Sequence, residues 1–151
     1  MTHHIVSVES DVPLPATVTP AAISSLVSHV LATELVAEPW QIGIQFVDDE
    51  TMQAAHKEFM DIDEPTDIMT FPYADDDDIW GESEAGGDLM ISVDTAQDNA
   101  AVAGLPLASE LFFLVAHGLL HLLGWDDHSP EDRALMLARQ DALLASWEER
   151  P

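Results

Sequence analysis

The run His117-Gly118-Leu119-Leu120-His121-Leu122-Leu123-Gly124-Trp125-Asp126-Asp127-His128 decides how this chain is read. It closes an apolar segment opened by Ser109-Glu110 and continued by Leu111, Phe112, Phe113, Leu114 and Val115, which predicts a helix to about Leu123 with Gly124 as its C-cap. Residues four apart share a helical face, so His117 and His121 can aim two imidazoles at one divalent ion, and neutral imidazole suits zinc. Gly124 lets the backbone turn back and return a third donor, with Asp127 and His128 both in reach. Three protein ligands leave a fourth position for water, the arrangement of a catalytic rather than a structural zinc. The competing reading is a core helix with two hydrogen-bonded histidines and an ordinary polar turn; the terminating glycine and the Asp-Asp-His cluster together favour the metal. In His-Glu-x-x-His metalloproteases the residue after the first histidine is the general base, whereas this chain has Gly118, which disfavours peptide hydrolysis by that route.

Outward from this helix, the chain reads as strand, helix, strand, helix, two strands and three helices. Ile5 to Val8 predicts a first strand. Thr19-Pro20 supplies an N-cap with proline at the first helical position, and Ile23, Leu26, Val27, Val30, Leu31 and Leu35 recur at helical spacing. Ile42, Ile44 and Phe46 alternate with polar or small residues as a strand with one buried face, and Asp48 caps a second helix running to about Met60. Thr66 to Phe71 is a strand closed by Pro72. Tyr73 to Gly87, with aspartates 75 to 78, reads as a solvated loop, chelation of a hard cation such as calcium being the alternative. Asp88 to Val93 is a further strand, a helix starts near Asp94, and Ser129-Pro130-Glu131-Asp132 opens a last helix reaching Trp147. The expected fold is one α+β domain over residues 1–151, a small mixed sheet covered by about five helices, one of which carries the metal ligands as in zinc hydrolases.

Composition narrows the chemistry. With no cysteine, disulfides and thiolate sites are excluded, so any metal must be held by imidazole and carboxylate. No apolar stretch approaches the roughly 20 residues of a spanning helix, and Met1-Thr2-His3-His4 lacks signal-peptide features, so no membrane partner and a cytoplasmic location are expected. The 29 acidic residues face only Lys57, Arg133, Arg139 and Arg150, a formal net charge of −25. Taken alone, this surface repels phosphate backbones within a Debye length of about 8 Å. Adaptation to high salt accounts for the same balance.

The long motif resembles that of the YbeY family, single-strand-specific metal-dependent endoribonucleases of ribosomal RNA maturation. His117 to Asp126 follows the family pattern His-Gly-x-Leu-His-Leu-x-Gly-Tyr-Asp-His without a gap, with Trp125 in the tyrosine place. Pro65-Thr66-Asp67-Ile68-Met69-Thr70-Phe71-Pro72 and Gly87-Asp88-Leu89-Met90-Ile91-Ser92 are similar to two further family segments. The resemblance implies a mixed sheet with helices and one zinc ion per chain, held by three residues of the motif. The ungapped match puts the third ligand on Asp127; His128, reached through a one-residue bulge, is the rival. An aspartate ligand would make the ion a weaker Lewis acid than three imidazoles would. Met60 stands where members commonly have an arginine, so Lys57 or a shifted arginine must take over any phosphate contact, or cleavage is weak.

The function implied is cleavage of single-stranded RNA in rRNA maturation, at the 3′ end of 16S rRNA, and in ribosome quality control, with the ribosomal small subunit as partner and no DNA substrate. His117, His121 and Asp127 would be ligands, and Asp67 or Asp88 would orient a ligand imidazole or the water; the bland reading makes both aspartates strand-end residues. Two other functions stay open: a ribosome-associated factor with a mainly structural zinc, and a zinc hydrolase of another substrate. His3, His4 and His29 belong to no evident site, whereas His56 is a candidate for the cleft wall. The acidic balance makes one prediction: folding and activity improve in molar salt, and a chain fully folded and active in dilute buffer would count against the high-salt reading.

Overall fold

The computed structural model describes residues 3–73 and 85–149. Its elements follow the expected order: β1 (Ile5–Ser10), α1 (Pro20–Thr33), β2 (Gln41–Val47), α2 (Asp49–Met60), β3 (Ile68–Pro72), β4 (Gly86–Ser92), α3 (Val93–Ala103), α4 (Leu107–Leu122) and α5 (Pro130–Glu149). The aspartates 75–78, with the calcium alternative, lie outside the described residues.

The strands form one mixed sheet in the order β1-β2-β4-β3, parallel except where β3 runs antiparallel to β4. Alternation gives β2 a face of buried Ile42, Ile44 and Phe46, and Leu89 and Ile91 of β4 join them. Against this face pack Ile23, Leu26, Val27, Val30 and Leu31 of α1 and Leu111, Leu114, Val115, Leu119 and Leu120 of α4, with Met136 and Leu143 of α5 closing the core. Burying such side chains contributes roughly 1.5–3 kcal/mol each. A smaller cluster of Val47, Met52, Ala55 and Met69 holds α2 to the sheet.

Helix ends obey capping chemistry. Thr19 accepts from Ala22 N–H at 3.1 Å, and Asp48 from Thr51 N–H at 2.8 Å. Asp48 is held below the usual carboxylate range by those bonds. Leu35, expected on the buried stripe of α1, is instead 87% exposed with φ +62°. The helix stops at Thr33; Leu35 N–H donates to Ala32 at 3.1 Å and Val36 N–H to Leu31 at 2.9 Å, a Schellman closure that turns Val36 inward in its place. Gly86 and Gly87, expected in the loop, begin β4. A Cβ on Gly87 would lie 2.7 Å from Phe71 O and 2.6 Å from a Leu122 methyl, so the glycine is what lets β3, β4 and α4 meet.

At buried Gly118, α4 comes close against the sheet. A Cβ there would sit 2.8 Å from both Ile68 Cδ1 and Leu89 Cδ2, which fixes the depth of the helix that carries His117 and His121. No acidic side chain fits this position. We predict that Gly118→Glu lowers unfolding free energy by roughly 3 kcal/mol or more through overpacking and a buried charge. Urea unfolding measures it, and a variant as stable as the wild type would contradict this account of the helix–sheet contact.

Candidate metal centre

Four residues apart on α4, His117 and His121 bring their Nε2 atoms to 3.1 Å. Each ring is oriented from behind. His117 Nδ1 lies 2.9 Å from Oε1 of Gln140, and Gln140 Nε2 donates to Phe113 O at 3.3 Å. A carbonyl only accepts, so the Gln140 amide can turn only one way, and the oxygen it shows His117 demands a proton on Nδ1. His121 Nδ1 lies 3.2 Å from Trp125 O, which makes the same demand. In the neutral rings both Nε2 atoms then carry bare lone pairs that face each other, an arrangement a shared cation relieves.

The turn after α4 supplies both the carbonyl and the third donor. Gly124, at φ +98°, donates to His121 O at 3.0 Å, and Trp125 N–H donates to Leu120 O at 3.0 Å. This Schellman closure reverses the chain and delivers Asp127, whose Oδ2 is 3.4 Å from His121 Nε2 and 3.8 Å from His117 Nε2. Ligands around 2.0–2.1 Å from a tetrahedral zinc lie about 3.3–3.4 Å from one another. The observed 3.1, 3.4 and 3.8 Å fit such an ion with little movement. The three residues are half-buried and form a group able to hold a metal.

His128 is outside this group, its Nδ1 and backbone N–H both engaged by Asp126 Oδ1. It joins Asp126 and Asp127 in a second, more exposed cluster of potential ligands. Asp67, just before β3, shares with His117 and Asp127 the walls of two adjoining cavities of about 250 and 640 Å³. Its Oδ2 accepts from Asn99 at 3.3 Å. Asp88 lies elsewhere. Leu89 faces α4 at Gly118, so its neighbour Asp88 points to the opposite side of the sheet, over Gly43, where it accepts from the Tyr73 hydroxyl.

Burial pushes the His117 pKa below its ordinary value, the first requirement of a ligand that must be neutral. Buried Glu110 is shifted upward by desolvation and by the nearby Asp67 charge. His56 and Met60 line the larger cavity beside Phe59, and His56 Nδ1 is 2.7 Å from Glu64 O. His4 accepts from Trp40 N–H at 2.9 Å and His29 bonds Ser146 at 2.7 Å, both far from the centre in role. Sequence reasoning missed Gln140, Asn99 and Glu110. Gln140 left a signal: it is a fully buried polar residue on the stripe that Met136 and Leu143 define along α5.

Comparison with known proteins agrees with this architecture. The family described as Endoribonuclease YbeY matches residues 7–148. Endoribonuclease YbeY of Corynebacterium jeikeium is 41% identical over 71% of this chain, an aligned region spanning 63% of that protein. The Roseiflexus sp. protein of the same name is 39% identical, covering 87% of this chain and 86% of its own. The solution structure of TM1509 from Thermotoga maritima shares the fold, with a TM-score of 0.63 over 97% of this chain and 94% of that one at 18% identity. With a family match that runs from β1 into the last helix, and relatives this similar, the chain belongs to the Endoribonuclease YbeY family.

Proposed function

We propose that this chain is a zinc-dependent endoribonuclease that cuts single-stranded RNA in rRNA maturation, at the 3′ end of 16S rRNA and in ribosome quality control, in the cytoplasm beside the ribosomal small subunit. The observation that carries the proposal is the convergence of two imidazole Nε2 atoms and one carboxylate oxygen within 3.8 Å, in a chain of this family. His117, His121 and Asp127 are the ligands of one ion per chain. Bound there, zinc supplies Lewis-acid polarisation of a scissile phosphate oxygen or of a water molecule.

The protein's own groups do the rest. Gln140 and Trp125 O hold the two rings in the tautomer that presents Nε2 to the ion. Asp67, with one oxygen tied to Asn99, keeps Oδ1 for a water proton or for positioning the attacking water beside His117 and Asp127. Asp88, on the other side of the sheet, takes no part in the chemical step. The cleft of about 640 Å³ carries exposed Phe59 and Met60 on its wall, apolar surface suited to unstacked bases rather than to a duplex. Gly118, packed on Ile68 and Leu89, leaves no place for the general base of a peptidase.

Substituting His117 by alanine abolishes bound zinc and RNA cleavage together, while a metal-free wild type stays folded and stops cutting. Unfolding on metal removal would favour the structural-zinc factor instead. Asp127→Ala weakens zinc, by chelator competition, more than about 100-fold, whereas His128→Ala changes it by less than about threefold; the reverse order would make His128 the ligand. Gln140→Leu, which removes the acceptor from His117 Nδ1 but keeps the volume, weakens zinc by roughly 10–100-fold. Wild-type affinity in that variant would show that the ring needs no support from α5.

A further inference from the structure

Four side chains carry a fixed positive charge against 29 acidic residues. Arg139 is committed to Glu34, 2.6 Å away, and Lys57 lies 3.9 Å from Asp63. Arg133, near the start of α5, makes no side-chain ion pair or hydrogen bond among the described residues, although the acidic Glu131 and Asp132 precede it in the same helix. Its side chain lines the cavity of about 250 Å³ whose other walls include Asp67, His117 and Asp127.

That placement matters because of the local charge balance. The formal charge of a divalent ion on the ligand group would be balanced by Asp67 and Asp127, so beyond direct contact with the ion a phosphate entering the cavity gains little attraction from this group. An uncommitted guanidinium on the same wall restores the attraction, and its planar fork matches two phosphate oxygens. Met60, in the neighbouring cleft, brings no charge. We infer that Arg133 is the phosphate-contacting residue of this chain, holding the RNA phosphate against the metal group; the inference rests on the nuclease reading for its substrate but not for its anion.

The test uses the zinc-loaded full chain as wild type, Arg133→Gln and Arg133→Lys, with two readouts: inorganic phosphate binding by calorimetry, and cleavage of a single-stranded RNA oligonucleotide across a salt series. Arg133→Gln weakens phosphate binding and lowers kcat/KM by on the order of 10–100-fold. It also shifts the slope of log kcat/KM against log salt by about 0.7, the share of one single-strand phosphate contact. Zinc content stays at the wild-type level, and Arg133→Lys recovers part of the loss because it keeps the charge without the fork. Phosphate binding by Arg133→Gln equal to the wild type, or none by the wild type, overturns the inference. So does equal loss of zinc in both variants, which marks a structural role. If the wild type cuts no RNA but phosphate binding still depends on Arg133, the nuclease reading falls and the anion contact stands.

Discussion

The contact of α4 with the sheet at Gly118 sets the geometry on which everything else depends. With no side chain in the way, the helix settles onto Ile68 of β3 and Leu89 of β4. A mid-helix glycine costs about 1 kcal/mol relative to alanine, and here the burial of Leu114, Val115, Leu119 and Leu120 around it offsets that cost. Because His117 adjoins Gly118, its depth is set by the same contact, and Asp67, next to Ile68, is carried to the same cavity. Helices α4 and α5 therefore position His117, His121 and Gln140, the start of β3 holds Asp67, and a glycine-closed turn delivers Asp127 and Trp125 O.

Around that frame the polar groups form a chain of constraints rather than separate bonds. α5 contributes buried Gln140, whose amide is satisfied at both ends, by His117 and by Phe113 O. The turn contributes Trp125 O to His121. Each bond satisfies Nδ1 and leaves Nε2 bare, so without a cation the centre holds two opposed lone pairs and a carboxylate in half-buried surroundings. Such local conflict is stored where a ligand resolves it. On its far side Asp67 and Asn99 link the centre to Glu110, whose pKa is raised by burial and by the Asp67 charge.

Much of this was legible in the residues because each element announces its own ends. Thr19-Pro20, Asp48 and Ser129-Pro130 are start signals that need no tertiary information, and the four-residue spacing of His117 and His121 is a property of any helix. What could not be read depended on contacts between elements. Leu35 has the spacing of a core residue, yet the helix closes at Thr33, two residues before it, and Val36 packs against the core in its place. Gly86 and Gly87 look like loop residues until the Gln41 backbone of β2 is seen to crowd the first, and β3 and Leu122 the second. Asp67 and Asp88 are both aspartates at strand ends, and only strand parity around Leu89 separates the one beside the metal group from the one across the sheet. Asp127 and His128 differ by a single step of a turn, a phase that neighbouring sequence leaves undetermined.

A chain of net charge −25 that acts on a polyanion must solve a problem of fields as well as of contacts. Long-range attraction is unavailable to it, since a surface this acidic repels phosphate at any distance salt does not screen. Recognition must then be short-ranged: apolar surface at Phe59 and Met60 for bases, a metal group of nearly neutral net charge, and, among the described residues, one uncommitted guanidinium at Arg133. Such a site loses less to ionic strength than a basic cleft does, because few counterions are released when RNA binds. The same salt that would strip RNA from a basic nuclease removes the repulsion here, so the extreme acidity and the sparse cationic contacts are two parts of one electrostatic arrangement.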